Sequence, residues 1–240
     1  MRNTIITIIS ICVALTACAD LFAQNAVNVE QIGRIYNFWG EAYDIAVQGN
    51  YAYLACEVSG LQIMDISDPE NPELTGYYDD NRGAALGVAV VGDYAYLADG
   101  IGGVSVINVS DPEHPNEVGW RQTAFARKIV VDGDWAYVAD EVALSVVNIS
   151  NPERPLLLSY LMIPGSIFDV AVSSDYAYMA NTTNGLRVID ISNPLEPVEL
   201  GNYDTPGTAW GVTVSGDHAF VADGLEGLRI IDIQDPEHPE

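Results

Sequence analysis

Cysteine and positive charge are both scarce in this 240-residue chain. Of its three cysteines, Cys12 and Cys18 lie close to the N-terminus and only Cys56 falls in the body of the chain. One thiol forms no internal disulfide, and the absence of any Cys-x-x-Cys pair or Cys/His cluster excludes a structural zinc site. Nine Lys plus Arg stand against 34 Asp plus Glu, a formal net charge of −25, and Lys128 is the sole lysine. So acidic a chain is repelled by phosphate backbones and anionic lipid, which argues against nucleic acid as a partner. Beyond the first two dozen residues no apolar run reaches membrane length, so no transmembrane span is expected. A helical apolar period is missing as well. So are a phosphate-binding glycine loop, a GxSxG elbow and an HExxH helix.

The N-terminus reads as an address. Arg2 supplies a positive start, and Thr4 to Ala17 form an apolar stretch too short for a permanent span. Ala17-Cys18-Ala19 has the small-x-small form of ordinary cleavage and Phe22-Ala23-Gln24 offers a later site, while Leu15-Thr16-Ala17-Cys18 resembles a bacterial lipobox with Cys18 as the acylated residue. Both exits stay open. Residues 1–24 are assigned to the signal and 25–240 to the folded domain. The protein is expected to be exported: secreted, periplasmic or held at the cell surface by a lipid anchor.

What is abundant is repetition. An aromatic-Ala-aromatic triplet recurs as Tyr51-Ala52-Tyr53, Tyr94-Ala95-Tyr96, Trp135-Ala136-Tyr137 and Tyr176-Ala177-Tyr178, with His218-Ala219-Phe220 as a variant. Their starts lie 43, 41, 41 and 42 residues apart. An Asp/Asn-Pro corner keeps the same beat at Asp68, Asp111, Asn151, Asn193 and Asp235. Each unit reads as four short strands: an aliphatic run, a Gly-Asn/Asp hairpin turn, the triplet strand, a third strand ending at the corner, and a fourth centred on a small residue. Several strands are apolar on both faces, so each sheet must be covered twice. With no helices to do it, the cover is the next copy of the same sheet. The fold class expected is all-β, a β-propeller of five four-stranded antiparallel blades. Glu30 to Tyr36 match the fourth-strand pattern and could complete the last blade by pairing around Ile230. A fragment of a larger propeller is the alternative. A monomer is expected.

Leu186-Arg187-Val188-Ile189-Asp190 and Leu228-Arg229-Ile230-Ile231-Asp232, each followed by an Asn-Pro or Asp-Pro corner, resemble the LVIVD-repeat proteins of bacterial and archaeal surfaces and secretions. Copies two and three depart from the pattern, with Asn108 and Asn148 in place of the final Asp. The resemblance implies an exported propeller and brings no catalytic residues with it.

The recurring acids, Asp65, Asp190 and Asp232 among them, are read as Asx turns in preference to calcium ligands, because calcium needs six to eight converging oxygens. No cofactor or metal is therefore expected. Cys56 occupies a place filled elsewhere by Asp99, Asp140, Asn181 and Asp223, and reads as an incidental loop residue. His114, His218 and His238 sit in repeat positions and form no triad. Function on a repeat scaffold lies where the copies differ. The column entering the first strand reads Tyr43-Asp44, Leu86-Gly87, Arg127-Lys128, Phe168-Asp169 and Trp210-Gly211, and should ring the mouth of the central channel. Alternation along a strand puts Lys128 in register with Asp44, Gly87, Asp169 and Gly211, and turns Arg127 toward the neighbouring blade. The candidate ligand-binding set is Tyr43, Asp44, Arg127, Lys128, Asp169 and Trp210, with no catalytic residue assigned. Lys128→Ala and Asp169→Ala are expected to weaken ligand binding at little expense in stability. The function expected is a non-catalytic binding or scaffold module for a protein, glycan or small polar ligand. The alternatives are a glycosidase using Asp44 and Asp169 as its carboxylate pair, and a structural cell-surface component.

Overall fold

The computed structural model describes residues 41–79 and 81–240. Among these described residues nineteen strands follow one another in the order β1 (Asp44–Gln48), β2 (Tyr51–Ala55), β3 (Leu61–Asp65), β4 (Glu73–Tyr78), β5 (Gly87–Val91), β6 (Tyr94–Ala98), β7 (Val104–Asn108), β8 (Asn116–Arg121), β9 (Lys128–Asp132), β10 (Trp135–Ala139), β11 (Ala143–Asn148), β12 (Leu156–Met162), β13 (Asp169–Ser173), β14 (Tyr176–Ala180), β15 (Leu186–Asp190), β16 (Val198–Tyr203), β17 (Gly211–Ser215), β18 (His218–Ala222) and β19 (Leu228–Asp232). They form four four-stranded meanders and, in the last repeat, a three-stranded one. Every pairing between consecutive strands of a sheet is antiparallel, for example Asp44↔Ala55 and Tyr53↔Ile63.

The hairpin between the first two strands of each sheet needs a left-handed residue at its first turn position. Gly49, Gly92, Gly133 and Gly216 supply it with φ between 56° and 62°, and Ser174 adopts φ 53° without that freedom. At the far end of the third strand the Asp or Asn side chain caps the corner. Asp65 accepts from the Ser67 amide (2.7 Å), Asp190 from Ser192 (2.8 Å), Asp232 from Gln234 (2.9 Å) and Asn108 from Ser110 (2.9 Å). The residue before each proline repeats the device: Asp68, Asn193 and Asp235 accept from Glu70, Leu195 and Glu237. The Ser67 amide holds the Asp65 carboxyl below the usual carboxylate range, and the Asn71 side chain and the Glu237 amide do the same for Asp68 and Asp235. These are Asx turns, in which a backbone amide already holds one oxygen of each side chain. Removing divalent cations with EDTA is therefore expected to shift the thermal midpoint by no more than about 2 °C, since only a bound metal stabilises by linkage. A larger fall that calcium reverses would contradict this assignment.

Between consecutive sheets lie four apolar seams. Tyr53, Leu61 and Ile63 of the first sheet close on Val88 and Leu97 of the second. Tyr96, Val104 and Val106 close on Ile129 and Val138, Tyr137, Leu144 and Val146 on Val170 and Met179, and Tyr178, Leu186 and Val188 on Val212 and Val221. The tyrosine that ends each of the first four triplets thus faces the following sheet, and the central alanine leaves room on the other side. Five sheets stacked face to face by such seams are successive blades of a β-propeller. On the fifth blade the matching residues Leu228 and Ile230 are 56% and 59% exposed among the described residues, where their counterparts Leu186 and Val188 are fully buried. Asp232 and Glu240 exchange both backbone hydrogen bonds, at the position where Asp65 pairs with Glu73. The expected pairing of the strand around Ile32 with β19 falls outside the described residues.

Candidate functional site

The first residue of each innermost strand is Asp44, Gly87, Lys128, Asp169 or Gly211, all at the same end of their blades. Their order around the propeller is acid, glycine, base, acid, glycine. Asp44, on blade one, is 4% exposed. Its Oδ2 accepts from the Val88 amide of blade two at 2.9 Å, and its Oδ1 lies 2.7 Å from the Lys128 Nζ of blade three. Gly87 makes this reach across blade two feasible, because a Cβ there would stand 2.8 Å from the Arg127 carbonyl oxygen and 2.9 Å from the Lys128 Cα. Asp169 repeats half of the device one sector on: its Oδ2 accepts from the Val212 amide of blade five at 2.9 Å, beside Gly211, and its Oδ1 from its neighbour Val170 at 2.9 Å. Each Asp–Gly pair therefore staples one blade to the next at this end of the propeller.

Burial alone would push the Lys128 ammonium down, but Asp44 and Asp169 hold it above its ordinary value, so it stays charged. Burial pushes the Asp169 carboxyl up to about 6, against the opposing pull of Lys128 and the two amides. The side chain of Lys128 is 21% exposed. Asp44 and Lys128 form a largely enclosed ion pair, and this overturns the expectation that Lys128 could be removed with little effect on stability.

Around this polar ring runs an aromatic rim. The Arg127 guanidinium lies over Phe125 at 4.8 Å and over Phe168 at 4.6 Å, with one Nη 3.5 Å from the Glu141 carboxylate. Phe168 meets Trp210 edge to face, centroids 4.6 Å apart and planes at 87°. Trp210 is 44% exposed and Tyr43, whose hydroxyl donates to Glu41 at 3.2 Å, is also solvent-facing. The residues singled out from sequence thus separate into two groups. Asp44, Lys128 and Asp169 share the polar ring, and Arg127 and Trp210 are joined through Phe168. Tyr43 stands apart from both, beside Glu41.

Two features escaped the sequence reading. Phe125 lies in the crossover loop before β9, where no repeat landmark marks it. The column Cys56, Asp99, Asp140, Asn181 and Asp223 is the second, and all five are buried. Asp140 accepts from the Ala124 amide (2.9 Å), from the Phe125 amide and from the Ser145 hydroxyl (2.8 Å). Asp223 accepts from the Gly207 amide (3.1 Å) and from Arg229 (3.3 Å), and Asn181 donates to the Pro164 carbonyl (2.8 Å). This column pins the crossover loops that carry the rim, so the Cys56 position is structural and not incidental. Burial pushes the Cys56 thiol up to about 12, which leaves it unreactive. The periodicity of the column was visible in the sequence; its depth was not.

A family model described as LVIVD repeat matches the chain five times, over residues 39–80, 82–123, 125–162, 164–205 and 206–240. No curated protein matches it. Among solved structures, a functionally unknown protein from Desulfotomaculum acetoxidans superposes with a TM-score of 0.73 at 12% identity, covering 88% of this chain and 73% of that one. The computationally designed protein Ika8 superposes with a TM-score of 0.63 at 10% identity, covering 79% of this chain. The chain spans 57% of the designed protein's length. At these identities the likeness is one of fold.

Proposed function

The chain belongs to the LVIVD-repeat family, and we propose that it is an exported, non-catalytic binding module whose channel mouth receives a small polar ligand or the polar tip of a glycan or protein. One observation carries this reading. The residues that differ most between otherwise equivalent blades are gathered at one end of the propeller, as a polar ring bordered by partly exposed aromatics. The turns and corners at the other end repeat with little change.

Asp44 is closed off by Lys128 and the Val88 amide, which supports binding over the two-carboxylate hydrolysis of a glycosidase, where both acids must reach the sugar. A structural surface component is compatible with the scaffold but leaves the variation at the mouth without a purpose. The test is a glycan and metabolite array on the purified chain. Any ligand found is expected to lose affinity in Asp169→Asn and Trp210→Ala, and to keep it in Glu113→Gln and His114→Ala on the opposite face. The reverse pattern would place recognition at the Asp-Pro corners and end this reading.

A further inference from the structure

Copies two and three end their third strands on Asn108 and Asn148, where Asp65, Asp190 and Asp232 stand in the other three. The corner does not need the exchange. The Asn Oδ1 accepts from the amide two residues on, at 2.9 Å from Ser110 and 3.1 Å from Ser150, as Asp65 does from Ser67. What the exchange creates is an Asn-x-Ser sequence in each copy, Asn108-Val109-Ser110 and Asn148-Ile149-Ser150. The serine itself is no novelty, because Ser67 and Ser192 hold the same place after Asp65 and Asp190. An exposed Asn-x-Ser/Thr is the acceptor pattern for an N-linked glycan in an exported chain.

The three-residue pattern alone recurs by chance, so geometry must separate the instances. The chain contains a third, Asn181-Thr182-Thr183. Asn181 is fully buried, and its Nδ2 donates to the Pro164 carbonyl oxygen at 2.8 Å. Its nitrogen is engaged and out of reach of a sugar donor. Asn108 and Asn148 are half-buried, each followed two residues on by an exposed serine. Those serine hydroxyls also donate to Oδ1, at 2.7 Å and 2.6 Å. A backbone amide can only donate, so the atom it meets is the carboxamide oxygen and the nitrogen is the free end. Neither Nδ2 makes a hydrogen bond among the described residues. Both asparagines lie at the corner end of their blades, opposite the polar ring, where a bulky glycan would leave the mouth clear.

We propose that Asn108 and Asn148 are acceptor sites for N-linked glycosylation, with a lipid-diphosphate-linked oligosaccharide as donor. The Asn Nδ2 forms a bond to C1 of the sugar. The bond from C1 to the diphosphate oxygen breaks with its electron pair on the oxygen, and the proton displaced from Nδ2 leaves with the diphosphate. Nothing is oxidised or reduced. The inference rests on the exported part of the reading above and is independent of what the mouth binds.

The test is to incubate the folded full chain with lipid-linked oligosaccharide and an oligosaccharyltransferase that reads Asn-x-Ser/Thr, followed by intact mass and peptide mapping. Two glycans should be added, at Asn108 and Asn148, and none at Asn181. Asn108→Asp and Asn148→Asp restore the residue of the other copies, and each should remove one glycan while the melting profile is retained. Ser110→Ala should remove the glycan at Asn108, and Ser110→Thr should keep it. A folded chain left unmodified while a peptide of residues 104–113 is modified in the same reaction would overturn the proposal. So would equal modification of Asn181, or two glycans persisting in the Asn108→Asp/Asn148→Asp double variant. Export is read separately, by fractionating cells that express the full chain. A cytoplasmic location would end the exported reading, while transfer in the purified reaction still decides the acceptor sites.

Discussion

Lys128→Ala is expected to lower the unfolding free energy by about 3 kcal/mol, a fall of roughly 6–12 °C in the thermal midpoint for a domain of this size. The cause lies in what the variant leaves behind. Asp44 is 4% exposed, and it would keep only the Val88 amide as a partner. An ionised carboxylate in that position must either hold an uncompensated charge or take up a proton, and both weaken the fold. A surface ion pair would cost under about 1 kcal/mol on the same substitution, so the two cases are well separated. The double variant Asp44→Asn/Lys128→Met removes both charges and retains a hydrogen-bonding group for Val88. It should recover most of the loss, because an apolar replacement of a buried pair is often close to neutral. The coupling energy from the complete cycle would then be read by urea denaturation. A Lys128→Ala loss below about 1 kcal/mol would mean that water reaches Asp44 freely and that the ring does not staple the blades.

That stapling could not be read from the chain, although the residues involved could. Strand alternation placed Asp44, Lys128 and Asp169 in one column, because the repeat fixes register and register fixes which way a side chain points. It gave no distance across the channel. Whether two side chains from blades one and three meet depends on how far the seams draw the blades together, and seam spacing is set by tyrosine and aliphatic packing summed over four interfaces. The same limit explains the buried column of Asp99, Asp140, Asn181 and Asp223. Polar residues after a strand read as loop, and only the crossover folding back over them reveals that Asp140 and Asp223 accept from backbone amides and that Asn181 donates to a backbone carbonyl. The blade itself was legible throughout, since hairpin turns, triplets and Pro corners each carry a local backbone reason repeated five times, with glycine at the turn in four of them. Phe125 was illegible for the opposite reason: it sits in the one segment of its repeat that obeys no shared pattern.

The seams also make Gly119→Val one of the most damaging single changes in the domain, with an expected loss of about 3 kcal/mol or more. Gly119 centres the fourth strand of blade two, and the corner of blade three packs directly on it. A Cβ at Gly119 would lie 2.0 Å from the Pro152 carbonyl oxygen and 2.9 Å from the Pro155 ring. Backbone cannot yield as a flexible side chain would, so the two blades must separate. Gly76 and Gly201 hold the same relation to Pro112 and Pro236, at 2.1 Å and 2.5 Å. Blade three shows the one alternative the chain uses. Ser159 takes the glycine's place, and its hydroxyl donates to the Pro194 carbonyl at 2.6 Å, turning the close approach into a hydrogen bond. Gly119→Ser should accordingly cost about 1–2 kcal/mol, less than valine, because the new hydroxyl can donate to Pro152 as Ser159 does to Pro194. Urea denaturation of both variants reads the difference directly. If valine proves no worse than serine, the contact between fourth strand and proline corner does not set the blade spacing. Blade spacing would then rest on the tyrosine and aliphatic packing of the seams alone.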